Sequence, residues 1–234
     1  MKDKRSRDRK ATSPNEGFSV SRRQFLKTLG GGIIIFFGYD ALQAQERRPP
    51  GYQELPTDFN AYLRIAPDGR VSCFTGKVEM GQGVINSLAR MLAEELDVPL
   101  ASVEMIMGDT DLCPWDMATV GSRSIRFFGP PLRQAAAEGR TILMDLAAER
   151  LGVEKDRLAV KDGVVWDRKN RAKKVTYGQL AQGKRIERRL TQKPPLKQVS
   201  QFTIVGKRGV RKDAIAKVTG KAQYAGDIRL PGML

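Results

Sequence analysis

Hydrophobic and polar residues alternate in two short runs in the first half of the chain. The runs AYLRIA and RVSCFT occupy residues 61–66 and 70–75, and Pro67, Asp68 and Gly69 lie between them. Alternation with a period of two is typical of a strand with one buried face, and the intervening residues favour a tight turn. The pattern predicts a β-hairpin.

A helical period replaces this alternation after a glycine-rich stretch. Ile85, Leu88, Leu92 and Leu96 are spaced by three or four residues, and Pro99 follows them. This spacing places the apolar side chains on one face of a helix, and proline disfavours continuation of a helix. We therefore predict an amphipathic helix that ends before Pro99.

The later part of the chain continues this alternation of strands and helices. Residues 103–107 predict a strand, and helically spaced apolar residues predict a long helix that opens near residue 130. Residues 157–161 and 164–167 predict a second hairpin around an Asp-Gly turn, and a short helix is predicted near Tyr177–Ala181. Strand–helix alternation predicts the α/β or α+β fold class.

Charge is unevenly distributed along the chain. The 234 residues carry 41 Lys and Arg against 26 Asp and Glu, a formal net charge of +15. Residues 1–48 hold 11 basic and 5 acidic side chains, residues 49–166 hold 12 and 17, and residues 167–234 hold 18 and 4. Aromatic residues are scattered through the basic end rather than interleaved with its charges, which disfavours nucleic acid as a partner. A solvated or subunit-facing basic surface is the preferred interpretation.

Two residue types restrict the possible chemistry. The sequence contains no histidine, which excludes serine–histidine triads, cysteine–histidine pairs and histidine-ligated zinc or haem. Cys73 and Cys113, its two cysteines, are too far apart for a C-x-x-C cluster. Two free thiols are the preferred interpretation, and one disulfide is the alternative.

The beginning of the chain has the pattern of an export leader. Residues 21–27 read SRRQFLK, and an apolar run with three glycines extends from Leu29 to Phe37. This run is far shorter than the roughly 20 residues that a membrane-spanning helix needs. Residues 21–27 resemble a twin-arginine export signal. The resemblance implies passage of the folded protein through the twin-arginine translocase, and a periplasmic or periplasm-facing membrane-associated location. Cleavage after Ala44 and an uncleaved leader are both left open.

Two loops carry the candidate binding chemistry. The first, GKVEMGQGV at residues 76–84, lacks the Lys-Ser/Thr of a nucleotide-binding loop. Its backbone N–H groups after a strand and before a helix suit an anionic or polar ligand, and a tight structural turn is the alternative. The second loop contains Gly121, Ser122, Arg123 and Ser124 just before a helix, where hydroxyls, amides and a guanidinium suit a phosphate. A surface salt bridge is the alternative for Arg123.

Several motifs occur together and in order. They are GKVEMGQG, AEELDVPL, MGDTD, GSRS, GPPLRQAAAEGR and DGVV. Together they resemble the molybdenum-cofactor-binding subunits of the xanthine dehydrogenase/aldehyde oxidase family, above all the isoquinoline 1-oxidoreductase beta-subunit type. The resemblance covers roughly residues 57–234.

The resemblance implies roles for particular residues. It assigns a loop that touches the pterin side of a molybdenum–molybdopterin cofactor, in its cytosine dinucleotide form, and a loop around the cofactor's phosphates. The first assignment concerns Gly81, Gln82 and Gly83, and the second concerns Gly121, Ser122, Arg123 and Ser124. Ile125 stands where the family has threonine.

The resemblance also implies a function. It indicates the N-terminal part of an exported molybdenum hydroxylase large subunit that oxidises aldehydes or N-heterocycles with water-derived oxygen. Iron–sulfur ligation needs cysteine sets that this chain lacks, so the clusters are expected on a separate small subunit or domain, and a small [2Fe–2S] subunit is the expected partner. The alternative is a non-catalytic module that binds a pterin or nucleotide or docks a subunit.

No catalytic or metal-ligating residue is assigned to this chain. The family's catalytic base is a glutamate near the end of a much longer chain, so Glu79 is not a candidate and this chain alone is expected to be catalytically incomplete. Asp109, Asp111 and Asp116 lack calcium-loop spacing, which favours a loop-shaping role.

The predicted organisation has five parts. They are a twin-arginine leader (1–48), a linker (49–56), the cofactor-binding α/β segment (57–166), a basic connection (167–217) and the start of a truncated α/β hammerhead domain (218–234). The leader and the hammerhead assignments follow from the resemblances rather than from hydrophobic periodicity.

Overall fold

Two β-sheets and two long helices form the framework of the computed structural model, which describes residues 31–38, 61–116, 118–190 and 194–233. The strands are β1 (Gly32–Phe37), β2 (Ala61–Ile65), β3 (Val71–Thr75), β4 (Val103–Met107), β5 (Leu158–Lys161), β6 (Val164–Asp167), β7 (Lys174–Thr176) and β8 (Arg185–Arg189). The α-helices are α1 (Val84–Leu96), α2 (Arg123–Arg126), α3 (Gly129–Leu151), α4 (Tyr177–Ala181) and α5 (Ala214–Val218). The twin-arginine residues and the predicted linker lie outside the described residues.

The larger sheet has the strand order β4-β3-β2-β1-β8. β2 pairs antiparallel with both β1 and β3, whereas β4 and β8 run parallel to their neighbours β3 and β1. A smaller antiparallel sheet contains β5, β6 and β7 in that order. The mixed sheets and interspersed helices confirm the predicted α/β (α+β) fold class.

Helices α1 and α3 pack against each other, and α3 packs against β1. Leu88, Leu92 and Leu96 of α1 are fully buried in the core, as their helical spacing predicted. Gly139 lets α3 approach the sheet closely, because a Cβ atom there would lie 3.2 Å from the Cδ1 atoms of Ile35 and Ile65. The main core therefore lies between the helix pair and the larger sheet.

A buried tyrosine joins the smaller sheet to this core. Tyr177, the first residue of α4, donates a hydrogen bond from its hydroxyl to the Leu96 carbonyl at 2.9 Å. Burial raises the pKa of the Tyr177 hydroxyl, so the group stays a neutral donor. Thr176 and Gln179 form a reciprocal cap that starts α4. The cap explains why so short a helix forms where it was predicted.

Most predicted elements are present in the structure. Both hairpins, the strand at 103–107, both long helices and the short helix Tyr177–Ala181 are confirmed. Cys73 and Cys113 are free thiols, which confirms the preferred interpretation. Burial raises the pKa of the Cys73 thiol, which keeps this thiol protonated. The sequence pattern did not predict β1, β7 or β8.

The unpredicted strand β1 is the apolar run of the predicted leader. Ile33, Ile34 and Ile35 are 0% exposed, and Phe36 and Phe37 are 4% and 2% exposed. A strand buried on both faces has no period-two alternation, so its sequence resembles the apolar run of a leader. No helix in the described ranges has the length and apolar character to span a bilayer.

The depth of β1 in the core yields a stability prediction. Ile35→Ala should lower the free energy of unfolding of the full chain by about 2–5 kcal/mol, because it removes buried methyl groups and leaves a cavity. Ile215→Ala, the same change at a side chain that is 69% exposed, is the matched control and should have little effect. Urea denaturation of both variants checks the prediction, and equal small losses would contradict it.

Candidate functional site

The glycine-rich loop between β3 and α1 is closed by its own carboxylate. Glu79 accepts hydrogen bonds from the backbone N–H groups of Gly81 at 2.8 Å, Gly83 at 2.8 Å and Ile85 at 2.9 Å. These are the donors that the sequence pattern offered to an anionic ligand, so the structure differs from that expectation. Glu79 itself occupies the anion-accepting position at the start of α1.

The environment of Glu79 favours its charged form. Burial raises the pKa of this carboxyl. The N–H groups of Ile85, Gly83 and Gly81 and the charge of Arg211 together lower the pKa by more than burial raises it, so it lies below the ordinary value. A carboxylate held in this way is a loop-closing group rather than a proton acceptor near neutral pH.

Gln82 contributes to the same closure. Its Oε1 accepts the Met80 N–H at 2.5 Å, and its Nε2 donates to the Val78 carbonyl at 3.0 Å. A primary amide has two N–H donors and an oxygen with two lone pairs, so Gln82 retains one donor and one acceptor for a ligand. The flanking Gly81 and Gly83 have φ angles of 96° and 81°, a left-handed conformation that favours glycine.

A buried ion pair joins this loop to the loop that precedes α3. The Lys77 Nζ contacts the Asp116 Oδ1 at 2.6 Å, and both side chains are 0% exposed. The same ammonium donates to the Ala118 carbonyl at 2.6 Å. Next to it, the Val78 N–H donates to the Thr119 hydroxyl at 2.8 Å. The two candidate loops are therefore held side by side.

Gly76 permits this close contact between the loops. A Cβ atom at Gly76 would lie 2.7 Å from both the Asp116 Cβ and the Pro114 carbonyl oxygen. Any side chain there would push the second loop away and separate the ion pair. The requirement for glycine at this position thus comes from packing between loops rather than from a ligand.

The second predicted loop is more open than the first. Gly121 and Ser122 are exposed and have φ angles of 60° and 58°, and α2 begins directly after them. Among the described residues, no atom lies within 4 Å of a Cβ placed on Gly121. In the described part of the chain, the Ser122 hydroxyl caps no N–H group of α2. Ser124 is buried, whereas Ser122 presents its hydroxyl to solvent.

The basic connection is bound to the acidic end of α1. Glu94 is buried and accepts the consecutive N–H groups of Thr203 at 3.0 Å, Ile204 at 2.6 Å and Val205 at 2.9 Å. The neighbouring Glu95 is also buried and accepts the Lys197 N–H at 3.2 Å. We name residues 197–211 the strap, because these contacts hold the segment across α1.

Glu94 is charged in this setting. Burial raises the pKa of its carboxyl, but the three backbone N–H groups and the Lys197 charge lower it by more, so its pKa lies below the ordinary value of 4.5. Three successive N–H groups around one carboxylate form a backbone nest. The nest fixes the strap at a definite position along α1.

A basic cavity of about 350 Å³ lies between the glycine loop and the strap. Arg90, Lys207 and Arg211 line it together with Gln82 and Asn86. The Arg211 guanidinium donates to the Gly81 carbonyl at 3.1 Å and pairs with Asp213. The Asn86 Oδ1 accepts the Lys212 N–H, while its buried Nδ2 has no partner among the described residues. The guanidinium groups of this lining are thus already bonded to carbonyl and carboxylate oxygens.

The structure thus brings the two predicted loops together but changes the role of one. Gly81 and Gly83 shape a loop whose amides are already used, whereas Gly121 and Ser122 remain open. The sequence pattern missed Lys77 and Glu79 as the residues that join and close the loops. A lysine and a glutamate within GKVEMGQG were visible signals, but their partners lie on segments distant in sequence or on backbone atoms.

The ion pair between the loops yields a double-mutant prediction. Lys77→Met should destabilise the chain by about 3–5 kcal/mol, because it leaves the Asp116 carboxylate buried without its cation. Adding Asp116→Asn should restore part of that loss, since the uncompensated charge is then removed. Urea denaturation of both single variants and the double variant measures the coupling, and simple additivity of the two losses would contradict a direct pair.

The nest around Glu94 yields a pH prediction. A carboxyl with a lowered pKa in the fold contributes stability above its ordinary pKa, and this contribution is lost as the pH falls through the lower folded value. Glu94→Gln should be less stable at neutral pH and should lose less stability than the parent chain from about pH 5 to about pH 3. Urea midpoints across that range test this, with Glu149→Gln on the surface of α3 as the charge-matched control. Parallel curves for the Glu94→Gln variant and the parent would refute it.

Comparison with known proteins gives a family match over most of the chain. The profile of the family described as "Molybdopterin cofactor-binding domain" matches residues 11–224. A subunit of nicotinate dehydrogenase from Pseudomonas putida is 36% identical over 173 residues, which cover 74% of this chain and 14% of that protein.

Two further relatives match nearly the whole chain. The beta subunit of isoquinoline 1-oxidoreductase from Brevundimonas diminuta is 31% identical, and the match covers 94% of this chain and 33% of that protein. The membrane-bound aldehyde dehydrogenase [pyrroloquinoline-quinone] from Gluconacetobacter polyoxogenes is also 31% identical, with coverage of 94% and 29% respectively. This chain therefore spans no more than a third of the length of these relatives.

Proposed function

The chain belongs to the molybdopterin cofactor-binding domain family, and from this premise we propose that it forms one wall of the cofactor site in a molybdenum-dependent oxidoreductase. The observation that carries the proposal is the pairing of the two loops by Lys77 and Asp116, which places the two family-assigned segments side by side. The names of the relatives, all dehydrogenase or oxidoreductase proteins, support the same reaction class.

The residues present fit such a cofactor at two places. Gly121 has open space where other residues carry a side chain, and Ser122 offers a hydroxyl beside Arg123 and Ser124, which suits phosphate oxygens. At the neighbouring loop, Gln82 retains one N–H donor and one lone pair for a pterin edge. Gly81 and Gly83 hold Gln82 in place through the closed loop rather than by donating their own N–H groups.

The bound molybdenum cofactor supplies the oxidation chemistry. This chain's residues contribute binding and orientation. Gln82 would bind the pterin edge, and the 121–124 segment would bind the phosphates. The ion pair behind both loops keeps the two contacts at a constant separation. A dinucleotide form of the cofactor, such as the cytosine form, fits this division because it presents two phosphates.

The substrate class and the partner extend the proposal. Nicotinate and isoquinoline are N-heterocycles and the third relative is named for aldehydes, so we infer an aldehyde or N-heterocycle as the substrate. Two of the relatives are named as subunits, which supports a multi-subunit assembly. A small [2Fe–2S] subunit would take the electrons, because two distant cysteines cannot hold a cluster.

Export completes the proposal. Residues 21–27 carry the twin-arginine pattern, and we infer that they direct the protein through the twin-arginine translocase to the periplasm or the periplasmic side of the membrane. Arginine and lysine are not equivalent for recognition by paired guanidinium groups, so the two arginines define the test of this step.

Cofactor retention tests the binding proposal. In the complete enzyme, expressed with its maturation factors, Gln82→Ala and Arg123→Ala should each lower the molybdenum and pterin content severalfold and leave the melting temperature nearly unchanged, because loop contacts mainly affect the ligand. Molybdenum is measured by mass spectrometry and pterin by fluorescence after oxidation. Arg168→Ala, an exposed arginine outside both loops, is the control. Full cofactor content in both loop variants would refute the assignment.

A further inference from the structure

Strand β1 has two incompatible uses. Gly32–Phe37 is the apolar run that follows the twin-arginine pattern, and it is also a buried strand of the larger sheet. An export leader acts by contact with another protein, which requires accessible side chains. All six residues of β1 are buried. The same segment therefore cannot be read by a partner while it occupies the sheet.

Strand β1 is hydrogen-bonded to a neighbouring strand on each side. It pairs antiparallel with β2 along five residue pairs and parallel with β8 along another five. The Gly32 N–H donates to the Lys184 carbonyl at 2.8 Å, and the Leu190 N–H donates to the Phe36 carbonyl at 2.9 Å. These backbone bonds close both ends of the β1–β8 pairing.

Close packing adds specificity to this position. A Cβ atom on Gly32 would lie 2.4 Å from the Ile65 carbonyl oxygen, and the φ angle of Gly32 is +132°. Ile35 contacts the region of α3 where Gly139 lacks a side chain. Both glycines therefore allow β1 to pack in this position. Gly32 allows close approach to the backbone of β2, and Gly139 allows close approach of the helix.

We propose that the folded chain masks its own export leader, and that β1 leaves the sheet before the leader acts. The proposal rests on the proposed export by the twin-arginine route. Masking delays export until the segment opens locally, while the remaining sheet from β2 to β4 stays formed. The device couples the availability of the leader to the state of the fold.

The neighbouring strand tolerates such an opening. In the described part of the chain, β8 is an edge strand whose strand partner is β1. Its sequence is RIERR, and Arg185, Glu187 and Arg188 are exposed. Charged side chains on an edge strand disfavour pairing with other molecules. An unpaired β8 therefore resists aggregation while β1 is out of the sheet. Because β1 is the second strand from this edge, its release also frees β8, and this partial opening costs less free energy than global unfolding.

Hydrogen exchange of the purified full chain tests the masking. The amides of Ile33–Phe37 should exchange far more slowly than those of an exposed peptide, because they lie in a buried ladder, yet faster than those of Val71–Thr75 in β3, which stays paired with β4 when β1 opens. Exchange of Ile33–Phe37 at the rate of an exposed peptide would overturn the proposal. This measurement needs no variant and does not depend on any activity.

A substitution in the helix that packs on β1, with the leader sequence intact, tests whether release of β1 controls export. Gly139→Leu adds a side chain against Ile35 and should speed exchange at Ile33–Phe37 by about tenfold or more, and it should raise the export rate severalfold in pulse–chase fractionation. Asp145→Leu, on the exposed side of the same helix, is the matched control and should change neither. If Gly139→Leu does not fold, the smaller Gly139→Ala takes its place.

The outcomes separate the masking from the export on which it rests. Faster exchange without faster export in the Gly139→Leu variant, from a parent chain that is exported, would overturn the masking. The double variant Arg22→Lys/Arg23→Lys should abolish export and leave exchange unchanged. Export that persists in this double variant, or no export from the parent chain, would refute the proposed export route, and the masking proposal would fall with it although β1 stays protected.

Discussion

The buried ion pair between Lys77 and Asp116 is the contact on which the arrangement of the candidate site depends. An ammonium and a carboxylate with no exposure are stable inside a protein only when they meet each other with good geometry. Lys77 belongs to the loop that begins α1, and Asp116 belongs to the loop that leads to α3. Because the pair tolerates little separation, it fixes the relation between the two loops, and Gly76 provides the space that the pair needs.

Two carboxylates of the described residues each hold a segment of irregular chain by accepting backbone N–H groups. Glu79 accepts three N–H groups of its own loop, and Glu94 accepts three N–H groups of the strap. Asp116 takes the remaining role by pairing with Lys77 and accepting the Ala118 N–H. In each case an acid satisfies donors at a place where the chain has no regular secondary structure. The acidic middle of the sequence is thereby explained as a scaffold for loops and for the basic strap.

Local periodicity made the hairpins and the amphipathic helices predictable. The period-two run around Leu63 and the helical spacing of Leu88 and Leu92 depend only on neighbours within one element. β1 could not be identified in this way, because a strand buried on both faces has the same composition as the apolar run of a leader. β8 was equally hidden, since RIERR has the composition of an exposed connection and pairs only because β1 is present.

The positions of the two candidate loops were predictable from the sequence, but the N–H groups that remain available in them were not. Glycines and hydroxyls mark where a chain turns before a helix, and both loops lie where those residues indicated. Which N–H groups remain available depends on long-range and side-chain contacts. Glu79 uses those of Gly81 and Gly83, while no described residue fills the space beside Gly121. The residue types alone do not distinguish these two cases.

Exposure determines what the two loops can do chemically. Gln82, Gly121 and Ser122 are exposed, and water screens the interactions of exposed polar and charged groups. Charge that develops during a reaction is stabilised best by fixed dipoles in a site from which water is excluded. In the proposed site these residues would therefore orient and bind a ligand, and they would not by themselves provide a dry site. Redox chemistry at these loops requires a second surface that covers Gln82 and Ser122 together.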